Sequence, residues 1–167
     1  NKKLNRYKVR RRKYSSNDCA FFEIKFKNNK KKTIKKRIKS VFEAGELHDR
    51  ESQFLTGNTP FESSMLQPGL YNQFYRITLI HKERKDRCTI DLQPEFRNGH
   101  GKLQYNDLVI FELKRGKSLK SSPMIHILKK LKIRQRGLSK YCTGKALLNP
   151  QLKRNAFKPR LRYLQKM

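Results

Sequence analysis

The side chains best suited to chemistry in this sequence are cations placed two residues apart. Arg10 and Arg12 form one such pair, Lys25 and Lys27 a second, Lys35 and Arg37 a third. Arg76 and Arg87 lie in two further stretches where apolar and polar residues alternate. Side chains on a β-strand alternate between faces, so residues two apart point the same way. A guanidinium presents a planar fork of donors that matches two phosphate oxygens, and lysine adds a mobile point charge. Strand faces built this way suit a phosphorylated ligand or a polyanion. The competing explanation is ordinary amphipathic strands whose charged face is wetted by solvent.

Glu112 is the acid of most interest. It lies in Val109-Ile110-Phe111-Glu112-Leu113-Lys114, on the opposite face from Val109, Phe111 and Leu113. A carboxylate among so many cations is either an ion-pair partner or a ligand for a divalent cation that bridges phosphate oxygens. Mg²⁺ and Mn²⁺ take carboxylate, phosphate and water oxygens, and often need only one or two protein carboxylates. Asp91 and Glu23 also fall on charged faces and are secondary candidates. No catalytic nucleophile is expected: His48, His81, His100 and His126 lack ligand spacing, and no G-x-S-x-G or P-loop sequence occurs. Phosphoryl transfer does not require one, since it rests mainly on positioning and charge neutralisation.

The elements that must position these residues follow from the apolar pattern. Residues 4–14 and 19–27 read as strands joined by the turn cluster Ser15-Ser16-Asn17-Asp18. After a second turn at Asn28-Asn29-Lys30-Lys31, residues 32–39 alternate again, which predicts a three-strand meander. Val41, Phe42, Ala44 and Leu47 have helical spacing, and Phe54, Phe61, Met65 and Leu66 follow among Gly57, Pro60, Pro68 and Gly69. One or two short helices with loops are expected there. Strands are predicted at 73–81, 86–93 and 107–114, with a polar loop over 95–106. Ser122 as N-cap and Pro123 at the first helical position predict a helix over 123–132, with Met124, Ile127, Leu128 and Leu131 on one face. A short helix ends near Leu148, and residues 150–167 form a basic, acid-free tail, mobile or partly helical. If the strands close into a barrel with their charged faces inward, they enclose a basic tunnel.

The chain has 167 residues, enough for a real core, and 42 Lys+Arg against 13 Asp+Glu give a formal charge of +29. Such an imbalance predicts an anionic partner: nucleic acid, an anionic membrane surface or polyphosphate. Against nucleic acid, no RRM, KH or C₂H₂ pattern occurs, and the aromatic residues fall mainly on the apolar faces. Cys19, Cys88 and Cys142 are far apart and no C-x-x-C occurs, which argues against a zinc ribbon or a disulfide framework. Cys88 and Cys142 are expected to be packed thiols in a reducing compartment. No apolar run approaches the roughly 20 residues that span a bilayer, and no signal peptide is evident. These features predict a cytoplasmic protein, with any membrane association made through a partner.

Seven fragments occur in an order that resembles the vacuolar transporter chaperone (VTC) domain. They are Arg10-Arg11-Arg12-Lys13-Tyr14, Phe22-Glu23-Ile24-Lys25, Lys32-Thr33-Ile34-Lys35, Tyr75-Arg76-Ile77-Thr78, Asp86-Arg87-Cys88-Thr89-Ile90-Asp91, Phe111-Glu112-Leu113-Lys114 and Ser139-Lys140-Tyr141-Cys142-Thr143-Gly144. That domain is the polyphosphate polymerase module of the triphosphate tunnel metalloenzyme (CYTH-like) superfamily. The resemblance implies an α+β fold, an antiparallel β-barrel tunnel with a few flanking helices, over residues 1–149, followed by the tail at 150–167. It implies binding of ATP or another triphosphate, and of inorganic polyphosphate, with Mn²⁺ or Mg²⁺. By position it makes Arg10, Arg12, Lys25, Lys35, Arg76, Arg87 and Lys140 phosphate ligands and Glu112 the metal ligand, with Lys114 facing the tunnel. The implied reaction moves the terminal phosphate of ATP onto a growing polyphosphate chain. Tunnel enzymes open with a strand of alternating acids and a basic residue, and none precedes Arg10 in a chain that starts at Asn1. The expectation is therefore a barrel lacking its N-terminal strand, with open edges. Binding without turnover, a triphosphatase and a nucleic-acid-binding protein stay open as alternatives.

Overall fold

The structure, a computed structural model, describes residues 4–30, 32–41, 45–83, 86–115 and 122–166. It consists of two compact units, residues 1–68 and 69–167.

The first unit is the expected antiparallel meander of β1 (Arg6–Tyr14), β2 (Cys19–Lys27) and β3 (Thr33–Ser40). At the first turn Asp18 takes φ 48°, and the Cys19 N–H donates to Asn17 Oδ1. Short polar side chains of this kind stabilise turns by local hydrogen bonds and tolerate positive φ. One face of the sheet is apolar. Phe22 and Ile24 are buried with Leu55 of α1 (Asp49–Thr56), and Tyr7, Val9, Ile38, Leu47, Phe54 and Leu66 pack around them. Burying a side chain of Phe or Ile size contributes about 1.5–3 kcal/mol, so this face fixes which way the strands turn. Asp49 and Glu51 in the first turn of α1 complement its N-terminal dipole. Of the helix expected from Val41, Phe42, Ala44 and Leu47, residues 42–44 lie outside the described residues. Val41 and residues 45–48 are not helical, and the helix starts at Asp49.

The second unit is built on β5 (Arg87–Asn98). β4 (Tyr71–Ile80) pairs along one side of it, and β6 (Gly101–Gln104) and β7 (Val109–Lys114) pair with its two halves on the other. The polar loop expected over 95–106 is a misreading of a hairpin. β5 runs on to Asn98, turns through Gly99-His100 and returns as β6, with Gly101 at φ 151°. Gly101 supplies a backbone conformation that L side chains rarely adopt, and so lets the chain reverse tightly after His100. Pro94, inside a central strand, is accommodated by a bulge. The pairing jumps from Gln73–Glu95 to Tyr75–Leu92, and Gln93 takes φ 49°.

The described residues of this unit also form the helices α2 (Pro123–Lys130), α3 (Lys140–Leu148) and α4 (Lys158–Leu164). Ser122 occupies the N-cap position of α2 but its side chain makes no capping bond, whereas Ser139 Oγ accepts from the Cys142 N–H at the start of α3. The apolar face foreseen on α2 leaves Ile127 and Leu131 exposed. The basic tail is partly helical, and α4 buries Leu161 and Leu164. Cys88 is buried as a free thiol, while Cys142 is only partly covered.

The fold is therefore α+β, with antiparallel sheets and, among the described residues, four α-helices. The closed barrel is not among the strand pairings of the described residues, which fall into two sheets. Among the described residues no helix is long and apolar enough to cross a membrane.

Candidate functional site

In the first unit the strand register builds one cationic face. Lys8, Arg10 and Arg12 of β1 stand opposite Lys25, Glu23 and Phe21 of β2, which stand opposite Lys35, Arg37 and Lys39 of β3. With Arg6 and Lys27, which pair at the end of the same face, the strands carry nine cations and one acid on the side away from the apolar core. Lys8, Lys25 and Lys35 lie side by side in one row.

The one acid, Glu23, is 2% exposed and sits on the middle strand. Arg10 Nε donates to its Oε2 at 2.7 Å, and Lys35 Nζ lies 2.8 Å from its Oε1. The lysine contact is an ion pair rather than a well-aligned hydrogen bond. Burial works against ionisation, but the contacts from Lys35 and Arg10 and the charges of Arg10 and Arg12 outweigh it, holding the pKa down at about 2. Arg12 is held differently, donating to Tyr14 Oη at 2.7 Å and lying over the Tyr14 ring.

Arg11, between Arg10 and Arg12 in the sequence, points to the other face, as the alternation of a strand requires. It lies on the apolar face, where its Nη2 reaches Glu51 Oε2 at 2.6 Å and the Glu46 carbonyl at 2.5 Å. Glu51 also accepts from Ser40 Oγ and from the His48 backbone N–H. Burial opposes the charge of Glu51, yet the bonds from Arg11, Ser40 and His48 keep its carboxyl below the usual range. This pair is part of the packing of α1 on the sheet.

The second unit repeats the design. Register places Arg76 beside Asp91 and Ile110, Thr78 beside Thr89 and Glu112, and Ile80 beside Arg87 and Lys114. Arg76, Arg87, Glu112 and Lys114 therefore share one sheet face. Asp91 is fully buried on the central strand. Arg76 grips it with two bonds, Nε to Oδ1 at 2.6 Å and Nη2 to Oδ2 at 2.7 Å. Lys140, from the first turn of α3, reaches Oδ2 at 2.5 Å. Burial opposes ionisation of Asp91, but Arg76 and Lys140 overcome it and hold the carboxyl below its ordinary value. The ring of Phe74, at the bulge, lies under both cations, with Arg76 Cζ 4.9 Å and Lys140 Nζ 4.8 Å from its centroid.

Glu112 differs from the two buried acids. Its side chain is 50% exposed, and Lys114 Nζ lies 3.4 Å from its Oε1. Beside it in register lies Thr89, whose Oγ1 is buried and makes no hydrogen bond. An open carboxylate next to an unsatisfied hydroxyl fits a hydrated divalent cation that takes its remaining ligands from phosphate and water. Among the described residues no three His, Cys, Asp or Glu side chains converge, so an all-protein metal cage is not formed. Glu23 and Asp91, the secondary candidates for metal, have their carboxylates engaged by Arg and Lys.

With this geometry in view, the comparison with protein families is decisive. A model of the VTC domain matches residues 1–149. The chain belongs to the VTC domain family. No curated protein and no solved structure matches it. In this VTC domain the residues singled out in the sequence fall on two faces. Arg10, Arg12, Lys25 and Lys35 share the polar face of the first sheet, and Arg76, Arg87, Glu112 and Lys114 share that of the second, with Lys140 supplied by α3. Lys8 and Lys39 lie on the first face as well, which the two-residue alternation through Arg10 and Arg37 already signalled. Phe21 and Phe74 are aromatic residues on the cationic side, exceptions to a pattern in which Tyr7, Phe22 and Phe54 pack in the apolar core. Each is covered by cations, Phe21 by Arg37 at 4.6 Å, and so is not an open platform for a base.

Proposed function

We propose that this VTC domain binds ATP and inorganic polyphosphate along its cationic sheet faces and belongs to a polyphosphate polymerase. The observation that carries the proposal is the sorting of cations. In each sheet the strand-borne phosphate-ligand candidates lie on one face, and the carboxylates that Arg10 and Lys35, and Arg76 and Lys140, contact are buried. A phosphate chain suits a face on which nine strand cations stand with one acid.

In the proposed reaction a terminal oxygen of the polyphosphate chain bonds to the γ-phosphorus of ATP. The bond from that phosphorus to the β–γ bridging oxygen breaks, and ADP leaves with the electron pair. Arg and Lys side chains orient the transferring group and offset the charge that develops on its oxygens. Glu112 would hold Mn²⁺ or Mg²⁺, which when bound neutralises phosphate oxygens. Incubation of the protein with ATP and Mn²⁺ should give long-chain polyphosphate, and Glu112→Ala should abolish it while leaving the fold intact, since that side chain is half exposed. Full activity in Glu112→Ala would overturn the assigned site. Release of inorganic phosphate without polymer would make the protein a triphosphatase, and tight triphosphate binding without product a binding module.

A further inference from the structure

We infer that Glu23 and Asp91 are positioning residues that hold Arg10 with Lys35, and Arg76 with Lys140, ready for a phosphate chain. The inference rests on the phosphate-binding proposal above. The same construction occurs in two units that share no strand. In each, a carboxylate on the central strand is almost wholly buried, at 2% exposure for Glu23 and 0% for Asp91. In each, the arginine lies directly across on the neighbouring strand, Arg10 opposite Glu23 and Arg76 opposite Asp91. A lysine closes from elsewhere, Lys35 from β3 and Lys140 from α3.

Two effects of such an acid oppose each other. It subtracts one positive charge from the face, which weakens attraction for a polyanion. It also fixes two long side chains that would otherwise lose their rotamer freedom when the ligand binds. A guanidinium that gives Nε and Nη2 to a carboxylate still carries further N–H donors, and an ammonium has three in all, so restraint and phosphate binding are compatible. The buried setting favours the second effect, because the carboxylates are fixed by the strand and screened from solvent. Holding two side chains in advance corresponds to roughly a tenfold gain in affinity.

The sign of the change on removing the acid decides between the effects. Glu23→Gln and Asp91→Asn, made in the full chain, are titrated calorimetrically with tripolyphosphate at two salt concentrations, with circular dichroism as the check on folding. The expected result is weaker binding, about tenfold for each variant, at both salt concentrations and with an unchanged salt slope, although each variant carries one more positive charge. Glu23→Asp, which keeps the charge but withdraws it by one methylene, should recover part of the loss. Equal or tighter binding by folded variants of a wild type that binds would overturn the positioning role alone. Absence of binding by the wild type would overturn the phosphate proposal and this inference together. If the amide variants do not fold, Glu23→Asp and Asp91→Glu carry the test, and wild-type affinity in both would overturn it.

Discussion

Gly144→Ala tests whether the close docking of α3 matters to the cationic face of the second unit. A Cβ at this position would lie 2.6 Å from Phe96 Cδ1, 2.8 Å from Leu70 Cδ2 and 3.0 Å from Phe96 Cγ. Carbon atoms in contact prefer roughly 3.5–4.0 Å, so about 1 Å of movement is needed. Phe96 is 1% exposed, and its strand is held by Asn72 on one side and Leu103 on the other. The movement therefore falls mainly on the helix. Replacing glycine by alanine inside a helix favours the variant by about 1 kcal/mol, whereas overpacking a filled site costs typically 1–3 kcal/mol. The expected net effect is a loss of about 1–2 kcal/mol in urea denaturation followed by circular dichroism. Lys140 lies one helical turn before Gly144, and its 2.5 Å contact with Asp91 does not survive an ångström of helix displacement. Tripolyphosphate affinity, measured by calorimetry, should fall as well. Gly99→Ala, where a Cβ meets nothing within 4 Å, is the control and should change stability by less than about 0.5 kcal/mol. A Gly144→Ala protein as stable as the wild type and binding tripolyphosphate equally well would refute this account of the helix.

Acid should weaken the first unit through Glu23. Its folded pKa of about 2 lies below the ordinary value of 4.5, so its contribution is complete above about pH 4.5 and is lost as pH falls through 2. The shift corresponds to about 3 kcal/mol, read as the difference in denaturation free energy between wild type and Glu23→Gln from pH 5.5 down to pH 2. A difference that stays constant over that range would contradict the assigned ion pairs. Glu51 and Asp91, shifted the same way, should add to the acid lability of the whole chain. Arg11→Met leaves the carboxylate of Glu51 buried without its main partner and should cost about 3–5 kcal/mol. Tripolyphosphate affinity of the still-folded variant should stay within about twofold of wild type, because Arg11 faces the core side; a large affinity loss with little destabilisation would reverse that assignment.

What could be read along the chain was what strands record locally. β1, β2, β3, β4 and β7 announce themselves by alternation, and that alternation alone put Arg10 with Arg12 and Glu112 with Lys114. β6 was hidden because Asn98-Gly99-His100-Gly101 has the composition of a loop, and the bulge was hidden because Gln93-Pro94 does not reveal which partner strand gives way. The same alternation puts Arg11 on the opposite face from Arg10 and Arg12, but its partner Glu51 lies 40 residues away and is not signalled by spacing. The partners of Glu23 and Asp91 were out of reach altogether. They depend on cross-strand register and on where α3 docks, and neither is written in the spacing of nearby residues.

β5 has a further consequence. This single strand carries Arg87, Thr89 and Asp91 toward one half of the sheet's polar side and Phe96 toward the seat of α3. A strand has period two, so losing one residue between Asp91 and Phe96 would turn one half of it over. Insertions and deletions have room at the chain's turns but not at Gln93-Pro94. Anyone transplanting this module onto another scaffold would have to carry that dipeptide with both of its flanks intact.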